Sequence, residues 1–201
     1  MAPAATGADT RERILVAAFE EFHLRGFQAA SIDTIVARAG VTKGALYHHF
    51  QDKAALGYAV VEEVVHEPLL AAYLEPLRTA EGDPLAALQD TLRRRAADFE
   101  AGGIELGCPL NNLAQEMSPL DEGFRTRVGA TLDAWTEAYA AGIERAQGAG
   151  YVRPEVDARR VAQFMVAAIE GSFGTAKNAA SVDLLRSNLG VLADFLETLR
   201  P

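Results

Sequence analysis

The chain has 201 residues, of which 49% are hydrophobic and 23% are charged, and this composition excludes an intrinsically disordered protein. Cys108 is the single cysteine, so we expect no intramolecular disulfide. No apolar run is long enough to span a bilayer, and we expect a cytoplasmic protein without a signal peptide or contact with a membrane. Residues 1–56 carry six basic and six acidic residues, so the net charge of −9 lies entirely after residue 56. A neutral N-terminal head on an acidic body can bind DNA at that one end.

Helical periodicity runs through nearly the whole chain, and it predicts an all-α fold. After a disordered arm over residues 1–8, four helices are predicted in succession, and the first two close on Gly26 and Gly40. Each of the four begins after a side chain that can cap it. The predicted N-cap residues are Asp9, Ser31, Thr42 and Asp52.

The apolar pattern of the fourth helix continues past Pro68. A proline inside a helix removes a hydrogen bond and clashes with the carbonyl group four residues earlier, so we expect a kink or a break there. Later helices are predicted from their own caps, with a short helical piece between residues 110 and 117. These later caps are Asp83, Ser118 and Ser181, and a further helix is predicted to begin at about Asp157.

The last two helices carry more apolar surface than one docking face requires. Leucines recur at heptad-like spacing in the final helix, and Leu184, Val191 and Phe195 add apolar surface beside that stripe. A second copy of the chain would cover the excess in a four-helix bundle across a two-fold axis; alternatively, both helices complete the core of the monomer. The residues predicted to form a dimer interface are Met165, Ile169, Phe173, Leu185, Leu189, Leu192 and Leu196.

The second and third helices predict a helix-turn-helix, because they are short and a turn that contains glycine joins them. On a helical wheel, Leu46 of the third helix faces inward, whereas Gly44 and His48 face outward. Lys43 and Gly44 lie in the first turn, the part of a recognition helix that reaches base edges. A glycine inside a helix costs about 1 kcal/mol relative to alanine. Close approach of this turn to DNA explains Gly44 better than a surface position at which any residue would be tolerated.

The strings RERILVAAFEEFHLRGF, SIDTIVARAGVTKGALYHHF and DKAAL, within residues 11–56, are similar in order and spacing to the tetracycline-repressor (TetR/AcrR) family. The resemblance implies nine helices, with a three-helix DNA-binding head over residues 9–52 and a six-helix ligand-binding and dimerisation body over residues 53–201. Ala45 departs from the family and offers only an apolar base contact, for example to a thymine methyl group. The residues implied in base contacts are Lys43, Gly44 and Ala45, and those implied in phosphate contacts are Ser31, Thr42, Tyr47, His48, His49 and Lys53.

The body offers aromatic rings and polar side chains of the kind that line ligand sites. The string GCPLNNLAQE is similar to one in a subset of the family, some members of which control the detoxification of aldehydes or other electrophiles. Cys108 in this string is either a buried apolar residue or an electrophile sensor at the start of a short helix, whose dipole would lower the pKa of the thiol. The candidate ligand-binding residues are His66, Tyr73, Phe99, Cys108, Asn111, Asn112, Gln115, Trp135 and Tyr139.

The sequence contains no phosphate loop, nucleophile elbow, HExxH motif or cysteine cluster, so it predicts neither an enzyme nor a metal or cofactor site. We expect a homodimeric repressor that binds a palindromic site in double-stranded DNA. A small-molecule effector would shift the fourth helix, change the spacing of the two recognition helices and release the DNA. Two alternatives stay open: an activator of the same architecture, and a helical protein-interaction module without DNA binding.

Overall fold

The computed structural model describes residues 7–79, 82–98 and 104–201. Within these ranges it contains nine helices and no strand, which confirms the predicted all-α fold. The short piece expected near residues 110–117 is the sixth of these helices. The bounds are Gly7–Arg25 (α1), Ile32–Ala39 (α2), Lys43–His49 (α3), 53–79 (α4), Pro84–Ala97 (α5), Pro109–Met117 (α6), Glu122–Gly148 (α7), Ala158–Ala179 (α8) and Val182–Glu197 (α9).

Helix α4 is continuous, but it changes its hydrogen-bond pattern along its length. An α-helical segment, Lys53–Ala59, is followed by the π-helical Val60–His66 and the α-helical Glu67–Thr79. The break that the sequence allowed at Pro68 therefore does not occur. Proline has no N–H to donate, and the i to i−5 bonds of a π-helical turn shift the acceptors by one position, so the helix tolerates Pro68 just after this turn.

Side-chain caps determine where most of the helices begin. Gly40 closes α2 in the left-handed conformation, with a φ of 65°, which glycine adopts without the steric cost of a Cβ atom. The end of α2 at Gly40 and the caps at Thr42, Asp52, Asp83 and Ser181 confirm the corresponding predictions from the sequence. The residues that occupy an N-cap and accept a backbone N–H with their side chains are Thr42, Asp52, Asp83, Asp157 and Ser181.

Two predicted helix starts differ in the structure. Helix α1 begins at Gly7, so Asp9 lies in its first turn instead of at its N-cap. Helix α7 begins at Glu122 and not directly after Ser118, because the carboxylate that accepts the N–H of an early helical residue belongs to Asp121. Most of the predicted disordered arm, residues 1–6, lies outside the described residues.

The chain divides into two compact units. The first unit contains the described residues up to Glu67 together with Asn112–Val128, and the second contains those of Pro68–Asn111 and Gly129–Pro201. Helices α1 to α3 thus share a unit with the beginning of α4, most of α6 and the beginning of α7. The functional division at residue 52 stays a prediction, and the compact units divide the chain at other residues.

Helices α5, α8 and α9 build much of the core of the second unit, where α9 packs against both of the others. The leucine stripe of α9 faces this core. Each residue assigned to a dimer interface is buried within the single chain, with at most 5% of its surface exposed. These residues complete the monomer core, so a dimer interface must use other positions. They are Met165, Ile169, Phe173, Leu185, Leu189, Leu192 and Leu196.

Candidate functional site

Helix α3 of the helix-turn-helix has one buried and one exposed side. Leu46 is fully buried and Phe50, directly after the helix, is 4% exposed, so these two side chains fix the rotation of the helix as predicted. The Thr42 hydroxyl accepts the N–H of the residue three positions later and caps the helix. Of the residues implied in DNA contacts, Thr42, Lys43, Gly44, Tyr47 and His48 are exposed, and Ser31, Ala45, His49 and Lys53 are half-buried.

Among the described residues, Gly44 has no close neighbour that would require a glycine. A methyl group built on its Cα atom would meet only the Thr42 hydroxyl, at 3.8 Å, which is ordinary van der Waals contact. Internal packing therefore does not explain why a residue of poor helix propensity stands in the first turn of α3. Close approach of another molecule to this turn is the explanation that the geometry supports.

Lys43 forms an ion pair across the helix-turn-helix. Its Nζ atom lies 2.7 Å from the Asp33 carboxylate of α2, and both side chains are mostly exposed. The hydrogen bond and charge of Asp33 raise the pKa of Lys43, so the ammonium group is charged. An exposed ion pair of this kind is weak in water. A base edge or a phosphate group can therefore compete with Asp33 for this ammonium group.

Lys53 holds the loop between α1 and α2, a role that the sequence did not reveal. Its ammonium group donates to the carbonyl oxygens of Gln28 at 3.1 Å and Ala30 at 2.7 Å, and it lies 4.9 Å from the centre of the Phe27 ring. Burial lowers the pKa of this group, although Glu116 and Glu21 act in the opposite direction. A phosphate contact by Lys53 stays a prediction.

Glu116 binds the same loop from α6. Its two carboxylate oxygens accept the backbone N–H groups of Phe27 and Gln28, each at 2.8 Å. The loop begins at Gly26, which is left-handed with a φ of 81°, and a Cβ atom there would come within 3.0 Å of the Glu116 carboxylate. The loop that precedes α2 is thus fixed by Lys53 through its carbonyl groups and by Glu116 through its N–H groups.

The beginning of α7 packs on α4 within the first unit. A Cβ atom on Gly57 would lie 2.5 Å from the Phe124 ring and 2.6 Å from the Phe27 ring, so only glycine lets these aromatic rings lie against the α4 backbone. The Tyr58 hydroxyl donates a 2.7 Å hydrogen bond to Asp121. Residues 112–128 are therefore firmly joined to the unit that carries the helix-turn-helix.

Three predicted ligand-binding residues form a row of aromatic rings inside the second unit. The ring centroids of Tyr73 and Trp135 are 4.4 Å apart, and those of Trp135 and Tyr139 are 6.0 Å apart. All three side chains are at most 1% exposed. Burial raises the pKa of the Tyr73 phenol, and the nearby Cys108 and Glu170 contribute to the same effect.

Glu170 is a buried carboxylate in the same unit, and it was not among the residues predicted from the sequence. It is 9% exposed, its Oε1 atom accepts the Cys108 thiol at 3.3 Å, and its backbone carbonyl accepts the Asn111 amide at 3.2 Å. Burial raises the pKa of Glu170 to about 7. Its position as the single acidic residue of the largely apolar helix α8 was the available signal.

We call Tyr73, Trp135, Tyr139 and Glu170 the buried polar cluster. Four of their polar atoms make no hydrogen bond of ordinary length within the described part of the chain, although Arg95 lies near the Tyr73 hydroxyl and Trp135 lies near that of Tyr139. A buried polar group without a partner costs about 1–3 kcal/mol, and folded proteins keep few of them. Several such groups together indicate a place for ordered water or for the polar atoms of a ligand. The atoms are the hydroxyls of Tyr73 and Tyr139, Nε1 of Trp135 and Oε2 of Glu170.

Cys108 precedes α6 directly, as predicted, but its surroundings do not activate the thiol. Burial and the adjacent Glu170 raise the pKa of Cys108 and outweigh the N–H groups of Leu110 and Asn111, which act to lower it. The thiol is therefore protonated and donates to Glu170. This geometry favours the interpretation of Cys108 as a buried residue over that of a reactive thiolate sensor.

The other predicted ligand-binding residues are not part of the buried polar cluster. His66, Asn112 and Gln115 belong to the first unit, whereas the cluster belongs to the second. Phe99 lies outside the described residues. The structure thus brings together five of the nine candidates, namely Tyr73, Cys108, Asn111, Trp135 and Tyr139.

Helices α8 and α9 also present apolar side chains to solvent. Phe164 is 53% exposed and Val191 is 65% exposed. The half-buried Phe195 lies edge-on to Phe164, with ring centroids 5.4 Å apart. Val191 directly precedes the buried Leu192, so the exposed stripe of α9 lies beside the one chosen from the sequence.

Over residues 7–79, 82–98 and 104–201, no helix is long and apolar enough to cross a membrane. Nor do these residues contain a group of three or more histidine, cysteine, aspartate or glutamate side chains that could hold a metal ion.

Two family models match the chain. Residues 14–60 match the bacterial regulatory proteins of the tetR family, and residues 84–188, more than half of the chain, match the C-terminal domain of LmrA/YxaF-like transcriptional regulators. The chain belongs to the TetR family. It is therefore a DNA-binding transcriptional regulator, and this class of protein is not enzymatic. TetR-family regulators bind DNA operators and act as dimers with small-molecule effectors.

Relatives and solved structures agree with this membership. The chain is 29% identical over 178 residues to the transcriptional regulator AcuR of Cereibacter sphaeroides, covering 88% of this chain and 80% of AcuR. It is 28% identical over 162 residues to the transcriptional repressor DhaR of Mycobacterium sp. strain GP1, covering 81% of this chain and 79% of DhaR. A TetR transcriptional regulator from Chloroflexus aurantiacus superposes with a TM-score of 0.82 at 29% identity, over 96% of each chain.

Proposed function

We propose that this TetR-family regulator is a cytoplasmic homodimeric repressor that binds a palindromic operator through α3 and releases it when a small molecule binds in the second unit. The exposed first turn of α3 carries this proposal, because Gly44 there has no role in internal packing. Lys43 and Gly44 are the residues that read base edges, and Ala45 offers an apolar contact at most. Tyr47 and His48 are exposed beside them and donate to phosphate groups.

The exposed side of α8 and α9 supports the dimer. Phe164, Val191 and Phe195 form an apolar surface on two neighbouring helices of one unit. Two such pairs related by a two-fold axis make a four-helix bundle, which buries this surface and presents two recognition helices to a palindromic site. The proposed interface therefore lies beside the buried leucine stripe and not on it.

Helix α6 supports a connection between effector binding and DNA binding. At its beginning, Cys108 and Asn111 contact Glu170 of the buried polar cluster. Near its end, Glu116 holds the loop that precedes α2. An effector that binds the cluster and shifts this short helix would also disturb the loop. Release follows if the effector binds the shifted state more tightly than the DNA-competent state.

The test measures binding of the purified protein to the DNA upstream of its own coding sequence by fluorescence anisotropy, with a shuffled duplex of equal composition as control. We expect tighter binding to the upstream fragment and a steep fall in affinity with salt. Equal affinity for both duplexes would contradict the proposal.

Deletion of the gene should raise transcription from the bound promoter, as expected for a repressor, the class to which DhaR belongs. A fall in transcription would identify an activator.

A further inference from the structure

We propose that the effector is a small organic cation, an amine that is protonated at neutral pH, with Glu170 as its counter-ion. The inference rests on the proposed function, since it names the ligand class of the same effector site. One oxygen of the Glu170 carboxylate, Oε1, accepts the Cys108 thiol, but the other, Oε2, is buried without a hydrogen-bond partner. Among the described residues, no basic side chain forms an ion pair with Glu170.

The basic side chain of the same region already has a counter-ion. The guanidinium carbon of Arg95 lies 5.2 Å from the centre of the Tyr73 ring, and its Nη1 atom lies 3.0 Å from Asp98. Arg95 is therefore occupied by an aromatic face and by a different carboxylate. Among the described residues, no basic side chain is left to compensate the charge of Glu170.

The aromatic row in the same unit as Glu170 suits a cation. The faces of tyrosine and tryptophan rings carry negative electrostatic potential, and they attract ammonium groups most strongly where water is excluded. Tyr73, Trp135 and Tyr139 are almost completely buried. The Tyr73 ring already faces Arg95. Together with the carboxylate, the rings of Trp135 and Tyr139 would offer an ammonium group a counter-charge and a desolvated aromatic surface.

Other ligand charges fit the cluster less well. A carboxylate ligand would bring a second negative charge beside Glu170 whenever that residue is ionised, and a neutral ligand would supply no counter-charge that favours its ionised form. A protonated amine supplies the opposite charge together with N–H donors for Oε2. The excess of acidic residues after residue 56 adds long-range attraction for cations.

Calorimetry on the full chain tests the charge preference. The probes are primary amines from propylamine to 2-phenylethylamine, each with its matched alcohol and carboxylate. We expect the wild type to bind the best amine about tenfold more tightly than the matched alcohol. Glu170→Gln, which keeps the shape and removes the charge, should abolish this preference. Glu144→Gln, which removes an exposed charge from α7, should retain it.

Three results would overturn the proposal: no amine binds, an alcohol or carboxylate binds as tightly as its amine, or the preference survives in Glu170→Gln. DNA binding in the same preparations separates this failure from that of the proposed function. If the wild type binds its upstream DNA and the amines fail, the ligand class is wrong and the regulator stands. If the protein binds amines but does not prefer its upstream DNA, the proposed function fails.

Discussion

The carboxylate of Glu116 accepts the backbone N–H of Phe27 at 2.8 Å, although 89 residues separate them in the sequence. Its other oxygen accepts the next N–H, that of Gln28. Hydrogen bonds to a charged acceptor are stronger than those between neutral groups. Because this loop leads directly into α2, Glu116 of α6 determines how the helix-turn-helix is held.

Removing this carboxylate should loosen the loop. We expect Glu116→Ala to lower the free energy of unfolding by about 1–3 kcal/mol, because two N–H groups lose their acceptor, and to weaken operator binding. Urea unfolding and fluorescence anisotropy measure the two effects. Glu144→Ala removes an exposed glutamate and serves as the control. If both variants unfold at the same urea concentration, the contact does not hold the loop.

Adjacent residues of α9 should respond in opposite ways to a charge. Val191 is 65% exposed and Leu192 is 5% exposed. Val191→Glu, combined with Phe164→Glu, should give folded monomers, because only the dimer buries these positions. Leu192→Glu should destabilise the monomer itself by more than about 3 kcal/mol, because it places a charge in the core. Sedimentation velocity and thermal melting distinguish the outcomes, and a folded dimer of the double variant would disprove the proposed interface.

Glu170 should make stability depend on pH. Folding raises its pKa from 4.5 to about 7, so the folded state binds this proton more tightly than the unfolded state. The stability that this proton contributes is complete below the pKa of Glu170 in the unfolded state. It is lost as the pH rises through the pKa in the folded state, and the loss amounts to up to about 3 kcal/mol. Urea unfolding of the wild type and Glu170→Gln, between about pH 5 and about pH 8, measures this loss. Parallel stability curves would refute the assignment.

Gly44 should show opposite effects on stability and on DNA binding. A methyl group at this position meets no close neighbour, so Gly44→Ala should raise the free energy of unfolding by up to about 1 kcal/mol through helix propensity. The same methyl group should weaken operator binding if DNA approaches the first turn of α3 closely. A variant that is stabilised and binds the operator as tightly as the wild type would show that the glycine has no role in DNA contact.

The helices and the rotation of α3 could be predicted from the sequence because they depend on local signals. Thr42 and Asp52 cap the helices that follow them, and Leu46 faces inward because of the helical period alone. The period also predicted two apolar sides for α9. It could not tell which side the chain itself covers, so Leu192 was assigned to the interface and Val191 only to the surface beside it.

The contacts that join distant segments could not be predicted in this way. Glu116 binds a loop near residue 27, and Lys53 binds carbonyl groups of the same loop. No periodicity relates such positions, and a charged residue at either one has the same appearance as a solvated surface residue. Glu170 was visible as an acid in an apolar helix, but the aromatic row beside it comes from α4 and α7, which only the fold brings together.

The sequence preference of Lys43→Ala shows whether the exposed first turn of α3 reads a DNA sequence. The measurement is the ratio of affinities for the upstream fragment and for a shuffled duplex, by fluorescence anisotropy at one fixed salt concentration. The wild type should prefer the upstream fragment, and Lys43→Ala should lose about tenfold to a hundredfold of that preference because a base contact is removed. Glu144→Gln should retain the full preference. An unchanged ratio in Lys43→Ala would contradict the account.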